Sequence, residues 1–68
     1  ALGAEHPDLA SRLNNLALLL RAQGEIDEAI RLFERAFSIF QASLGTDHPN
    51  TQLVASNLRS IAQIICGI

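Results

Sequence analysis

The sequence predicts an all-α fold, in which an antiparallel helical hairpin is followed by one further helix. Its apolar residues recur at intervals of three and four, which is the spacing of one buried helical face and not of an alternating strand. In the first half of the hairpin these residues are Leu13, Leu16, Ala17 and Leu20. In the second half they are Ile26, Ala29, Ile30, Phe33, Ala36, Phe37 and Phe40. We expect Phe33 to be the centre of the core, flanked by Leu16, Leu20 and Ala29.

Proline and glycine mark the ends of the three predicted helices. The first helix is expected from about Pro7 to Ala22, because the missing N–H of proline would have no partner in a first turn. A short polar turn at Gly24 lets the chain reverse. The second helix is expected from about Ile26 to Ser43, with Gly45 in the left-handed conformation that ends many helices. The third is expected from about Pro49 to Ile65.

A repeat with a period of 42 residues organises the chain. Leu2, Gly3, His6, Pro7, Asn15 and Leu16 recur in the same order as Leu44, Gly45, His48, Pro49, Asn57 and Leu58. A period of this size is typical of stacked repeats, in which each unit covers an apolar face of its neighbour. We therefore expect a fragment of a longer array, with a complete hairpin in residues 2–43. Residues 44–68 would supply the first helix of a second, divergent unit.

The repeated pattern resembles a known family. The residues that carry the resemblance are Leu13, Leu16, Ala17, Leu20, Gly24, Ala29, Phe33 and Ala36, which match the spacing of the tetratricopeptide repeat. The period and the Leu-Gly and His-Pro opening are similar to the longer repeats of kinesin light chains and their bacterial relatives. The second copy departs from the pattern, since Arg59 stands in the place of Ala17, Ala62 in that of Leu20 and Cys66 in that of Gly24. The resemblance implies an α-solenoid with a right-handed superhelical sense.

The composition excludes several classes of function. Five arginines are scattered along the chain and seven acidic residues outnumber them, so the basic stripe of a nucleic-acid binder is missing. No apolar run approaches the roughly 18 residues that a membrane span needs. Cys66 is the single cysteine and cannot form an internal disulfide, which fits a reducing compartment. We therefore expect a cytoplasmic protein that binds neither nucleic acid nor membrane.

The sequence predicts no catalytic, cofactor or metal site. His6 and His48 belong to the two repeated helix starts, where a capping role is expected, because zinc needs three or four converging ligands. Glu25, Asp27 and Glu28 are typical solvated acids of a helix first turn. The glycines stand singly, so the sequence contains no glycine-rich phosphate loop.

Two asparagines point to a binding face. Asn15 and Asn57 occupy the same place in the repeat, although asparagine is a mediocre residue for a helix interior. One interpretation is a polar contact between helices or with nearby backbone. The resemblance implies another, in which the first helices line a concave groove and these amides hold the backbone of an extended peptide. The same face would include Ser11, Asn14, Leu18, Arg21, Ala22, Ser60, Gln63 and Ile64.

The favoured function is a protein–protein interaction module that receives a peptide or a partner helix on this concave face. One alternative is a structural self-assembly segment, and another is the regulatory repeat region of a larger signalling ATPase or motor adaptor. The apolar surface of the third helix is the reason to consider self-assembly. Its stripe of Val54, Leu58, Ile61, Ile65 and Ile68 is expected to pack on the hairpin, whereas Ala55 and Ala62 would lack a covering helix. A second copy of the chain is expected to cover them.

Overall fold

Three helices make up the described part of the chain. The computed structural model describes residues 6–66, and the side chains of residues 6–63. Helix α1 spans Pro7–Ala22, α2 spans Ile26–Leu44 and α3 spans Pro49–Cys66, with no strand among the described residues. The all-α prediction is therefore confirmed, and the predicted bounds differ by one residue at the ends of α2 and α3. Helix α2 packs against both α1 and α3, which contact each other much less.

The two repeated helix starts have the same geometry. His6 Nδ1 accepts a hydrogen bond from the backbone N–H of Asp8 at 3.1 Å, and His48 Nδ1 accepts one from that of Asn50 at 3.1 Å. Each bond satisfies one of the first N–H groups of a helix, which have no partner within the helix. The expected capping role of both histidines is confirmed.

Both connections between helices depend on glycine. Gly24 has a φ of 87° in the α1–α2 turn, where the N–H of Glu25 donates to the carbonyl of Leu20 at 2.8 Å. Gly45 follows α2 with a φ of 90° and donates its N–H to the carbonyl of Gln41 at 3.1 Å. Its ψ of 159° differs from the left-handed helical conformation that we expected. This backbone region is essentially restricted to glycine.

The core lies on the inner face of α2. Its buried apolar residues are Ala10, Ala17, Ala29, Phe33, Ala36, Ile39, Phe40, Val54 and Ile61. Phe33 is the largest side chain that is fully buried, as predicted. Small residues such as Ala17 and Ala29 leave room for the helices to approach each other closely. Leu20 is partly buried against the same cluster.

The prediction that Leu16 flanks Phe33 is wrong, because Leu16 is 47% exposed. The α1 residues that lie in or against the core are Leu9, Ala10, Leu13, Ala17 and Leu20. Leu16 precedes Ala17 by one residue, which rotates its side chain by about 100° around the helix axis. Its equivalent in the second unit, Leu58, packs against the core because α3 lies on α2. Leu16 therefore belongs to a second face of α1.

Candidate functional site

Two side-chain hydrogen bonds join α1 to α3. Asn57 Nδ2 donates to Asn14 Oδ1 at 3.1 Å, and Arg21 Nη2 donates to Ser60 Oγ at 3.2 Å. Both bonds are partly buried. The structure thus brings four of the predicted site residues together in two pairs, along the line where α1 and α3 meet.

The asparagine pair is the more buried of the two contacts. Asn14 is only 7% exposed, and Asn57 is half-buried. Their bond uses the amide donor of Asn57 and the carbonyl acceptor of Asn14. Since every carboxamide has both a carbonyl and an NH₂ group, the other halves of the two side chains are Asn14 Nδ2 and Asn57 Oδ1. The Asn14–Asn57 bond therefore uses neither this donor nor this acceptor.

A cleft of about 230 Å³ lies beside this pair. Its lining residues are Ser11, Asn14, Asn15, Phe40, Asn50 and Leu53. Four of these side chains carry uncharged hydroxyl or amide groups, while Phe40 and Leu53 supply apolar surface. A few polar groups around apolar surface are typical of a binding cleft. None of these lining side chains titrates, so this cleft offers no acid–base chemistry.

Those of the remaining predicted residues whose side chains the structure describes are exposed. Asn15 is exposed and lines the cleft, and Leu18 is 39% exposed. Ala22 and Gln63 are exposed, whereas the side chain of Ile64 lies outside the described residues.

Three cleft residues were missed by the sequence reasoning. Leu53 is the equivalent of Ser11 one period later, and Asn50 is that of Asp8, so the repeat offset contained a signal for both. Phe40 comes from α2, whereas the family resemblance directs attention to the first helices alone. The apolar stripe of α2 includes Phe40 but does not indicate that its surface reaches a cleft.

A second cleft, of about 440 Å³, lies on the other side of α3. Its lining residues are Phe37, Thr46, Gln52, Ala55, Ser56 and Arg59. Although it is larger, it contains no interhelical pair of amides, and none of the predicted site residues lines it. We therefore take the smaller α1–α3 cleft, with the two hydrogen-bonded pairs beside it, as the candidate site and call it the α1–α3 groove.

The described part of the chain contains neither a cluster of metal ligands nor a helix suited to span a membrane. Within it, no group of three or more histidine, cysteine, aspartate or glutamate side chains is placed to hold a metal ion. None of its helices is both long and apolar enough to cross a membrane.

Residues 9–50 match the sequence pattern of the tetratricopeptide repeat. The chain belongs to the tetratricopeptide repeat family. The match begins in the first turn of α1 and ends in the first turn of α3, so it covers one full repeat period. Tetratricopeptide repeats are generally non-catalytic modules of protein–protein interaction.

The chain is also similar to the clustered mitochondria protein homolog of Danio rerio. The two sequences are 37% identical over 57 residues, which cover 84% of this chain. The chain spans only 4% of the length of that relative.

Proposed function

We propose that this tetratricopeptide repeat chain binds a protein partner in the α1–α3 groove, as an extended peptide or as a partner helix. The observation that carries the proposal is the Asn14–Asn57 pair. Its bond uses neither the Nδ2 donor of Asn14 nor the Oδ1 acceptor of Asn57. One peptide unit of a ligand has a matching carbonyl and N–H group, so both amides can bond to the same stretch of backbone.

The surroundings of the pair suit a peptide with an apolar side chain. The cleft beside it combines the apolar surfaces of Phe40 and Leu53 with uncharged polar groups. Such a cleft gains affinity mainly by burying apolar area, while the amides set the orientation of the ligand. Arg21 is half-buried at the far end of the face. We expect it to favour an acidic ligand residue there.

Selection from a displayed library of random peptides tests the proposal, with the 68-residue chain as bait. A selected peptide is then measured against Asn14→Ala, Asn57→Ala and the double variant. Each single variant should lose about two- to tenfold in affinity and the double variant more, because one hydrogen bond to the ligand contributes roughly 0.5–1.5 kcal/mol. Gln52→Ala is the control, since Gln52 is an exposed amide on α3 that lines the other cleft. Unchanged affinity in a double variant that keeps its helical circular dichroism would contradict the residue assignment.

Self-assembly is the second candidate function. Leu16 and Leu19 are 47% and 54% exposed on one side of α1, and exposed leucines next to each other favour an interface. Sedimentation at tens of micromolar distinguishes the candidates, because a dimer mass supports self-assembly and a monomer mass opposes it. A cytoplasmic location belongs to the proposed function as well, supported by the single cysteine of the sequence.

A further inference from the structure

The outer face of α1 is equivalent, one repeat period earlier, to a face of α3 that is buried. The α3 residues are Thr51, Val54, Leu58 and Ile61, and their equivalents one period earlier are Leu9, Arg12, Leu16 and Leu19. Thr51, Val54 and Ile61 are fully buried, and Leu58 packs against the core. On α1, by contrast, Leu16 and Leu19 are about half exposed. The same helical face is thus covered by α2 in one unit, whereas on α1 Leu9 packs only partly against the core and Leu16 and Leu19 are left open.

Arg12 is the polar exception on this α1 face, in the place of the buried Val54. A long arginine side chain can cover apolar surface with its stem while its guanidinium stays in water at the edge. Arg12 is exposed, which fits a position at the edge of a docking surface.

The outer face of α3 is less apolar than its equivalent on α1. On α1, the stripe that packs against α2 consists of Ala10, Leu13, Ala17 and Leu20. The equivalent residues of α3 are Gln52, Ala55, Arg59 and Ala62. Both leucines have become alanines, so the stripe offers less apolar surface. Both fully buried alanines have become long polar residues, and Gln52 and Arg59 are exposed.

Of the two alanine positions that are polar in α3, the one occupied by Arg59 differs more severely. In its place α1 has Ala17, which is 0% exposed between two closely packed helices. A helix docked on α3 in the same way would have to bury a guanidinium and would be held away by its length. The larger cleft, which Arg59 lines, therefore lies where a second helix would sit if the unit were complete.

We infer that this chain is the closing end of a helical stack. A hairpin one period before α1 docks its second helix on Leu9, Leu16 and Leu19, and no such helix docks on the outer face of α3. In a second copy of the chain the matching face of α2 is already covered by α3, so the preceding hairpin and not a copy is the occupant that repeats the α2–α3 packing.

A tandem protein tests the α1 side. Residues 1–42 are fused directly before Ala1 of the full chain, which keeps the repeat in phase because Ala1 takes the place of Ser43. The midpoint of thermal unfolding should rise by about 10 °C or more over that of the 68-residue chain. Leu16→Asp together with Leu19→Asp should abolish the rise when placed in the full chain. The same pair in the added hairpin is the matched control and should leave the rise intact.

The α3 side is tested by adding a second helix there. Residues 25–44 are fused after Cys66, which takes the place of Gly24. This extension should leave the thermal midpoint unchanged. The variant with Gln52→Ala, Ala55→Leu, Arg59→Ala and Ala62→Leu restores the stripe of α1, and in that background the same extension should raise the midpoint.

Three results would overturn the inference. The first is a tandem protein whose thermal midpoint does not rise above that of the 68-residue chain. The second is a thermal midpoint that rises as much when the helix is added to the unaltered α3 as when it is added to the variant. The third is a 68-residue chain that sediments as a dimer at tens of micromolar and becomes a monomer with Leu16→Asp. That last result would assign the α1 face to a second copy.

Discussion

The side chains of Asn14 and Asn57 meet at 3.1 Å, although the repeat makes Asn15 and not Asn14 the equivalent of Asn57. Residues that occupy the same place in two repeats are therefore not the ones that face each other across the groove. Asn14 is the more buried residue, and Asn15 is exposed beside it. Both of these neighbouring α1 amides line the cleft, but only Asn14 also forms a hydrogen bond to α3.

A double-mutant cycle on Asn14 and Asn57 should give a coupling free energy of about 1 kcal/mol, the usual net value of a hydrogen bond. Asn57→Ala should be destabilising, because it leaves the buried acceptor of Asn14 without its partner. Urea unfolding of the four proteins measures the coupling. Asn15→Ala is the control, and it should be neutral or stabilise by a few tenths of a kcal/mol through helix propensity, by the order of magnitude expected for an exposed site. A coupling of zero would show that the bond does not hold α1 to α3.

Phe33→Ala should leave the chain largely unfolded at room temperature. Phe33 is fully buried, and such a truncation costs about 3–5 kcal/mol, comparable to the whole stability of a small domain. Leu16→Ala is the matched truncation at an exposed site and should cost less than about 1 kcal/mol. Circular dichroism melts of both variants check this. A cooperative Phe33→Ala transition near that of the unaltered chain would contradict the assigned core centre.

Thr51→Val should stabilise the chain by about 1 kcal/mol. Thr51 is fully buried in α3, and its Oγ1 has no hydrogen-bond partner. A buried hydroxyl without a partner costs roughly 1–3 kcal/mol, and valine removes it while keeping the shape of the side chain. Thr51→Ser, which keeps the hydroxyl and deletes a methyl group, should destabilise. If urea unfolding showed valine to be the worse substitution, the hydroxyl would have to be satisfied in solution.

Gly45→Ala should lower the free energy of unfolding by about 2 kcal/mol, whereas Gly24→Ala should lower it by about 1 kcal/mol. An added Cβ would meet no atom within 4 Å at either position, so the cost comes from the backbone alone. Gly45 combines a positive φ with an extended ψ, a region that only glycine enters readily. Asparagine tolerates the left-handed helical region, so Gly24→Asn should recover part of the loss while Gly45→Asn should not. Thermal melts that rank the two glycines in the reverse order would contradict this account of the turns.

His48→Ala should destabilise the chain by about 1 kcal/mol through loss of the cap on α3. The hydrogen bond from the N–H of Asn50 to His48 Nδ1 would be lost, and one N–H group of the first turn would lose its partner. His48→Ser should retain most of the stability, since serine is a good helix cap. Chemical unfolding of the two variants provides the comparison, and equal stabilities would argue against the capping role.

Most of the fold could be predicted because it follows from local rules. Pro7 and Pro49 marked the helix starts, Gly24 and Gly45 marked the turns, and the apolar spacing of α2 marked its buried face. Leu16 could not be placed, since a leucine beside Ala17 fits the core stripe and the neighbouring stripe equally well. Only the arrangement of three helices decides between them. The open side of α1 leaves Leu16 exposed, while the neighbouring α2 covers its equivalent Leu58.

The candidate site was predictable only in part. The repeat pointed to Asn57 and to the correct face of α1, which includes Asn14 and Arg21. It also pointed to Ser60 on the equivalent face of α3. It could not indicate which of these residues meet, because their pairing depends on how α3 is displaced relative to α1. Phe40 was missed for the same reason, since its surface reaches the cleft only through the gap between those two helices.

The central claim is that the α1–α3 groove binds peptide backbone through the two asparagine amides. A proton–nitrogen correlation spectrum of the labelled chain, titrated with a library-selected peptide, tests it most directly because it resolves side-chain NH₂ groups individually. We predict that the NH₂ signals of Asn14 and Asn57 shift together with the backbone of Leu53, while the NH₂ signal of Gln52 stays in place. Shifts confined to Gln52 and Arg59, with both asparagine side chains unmoved, would contradict the claim and place the ligand in the other cleft.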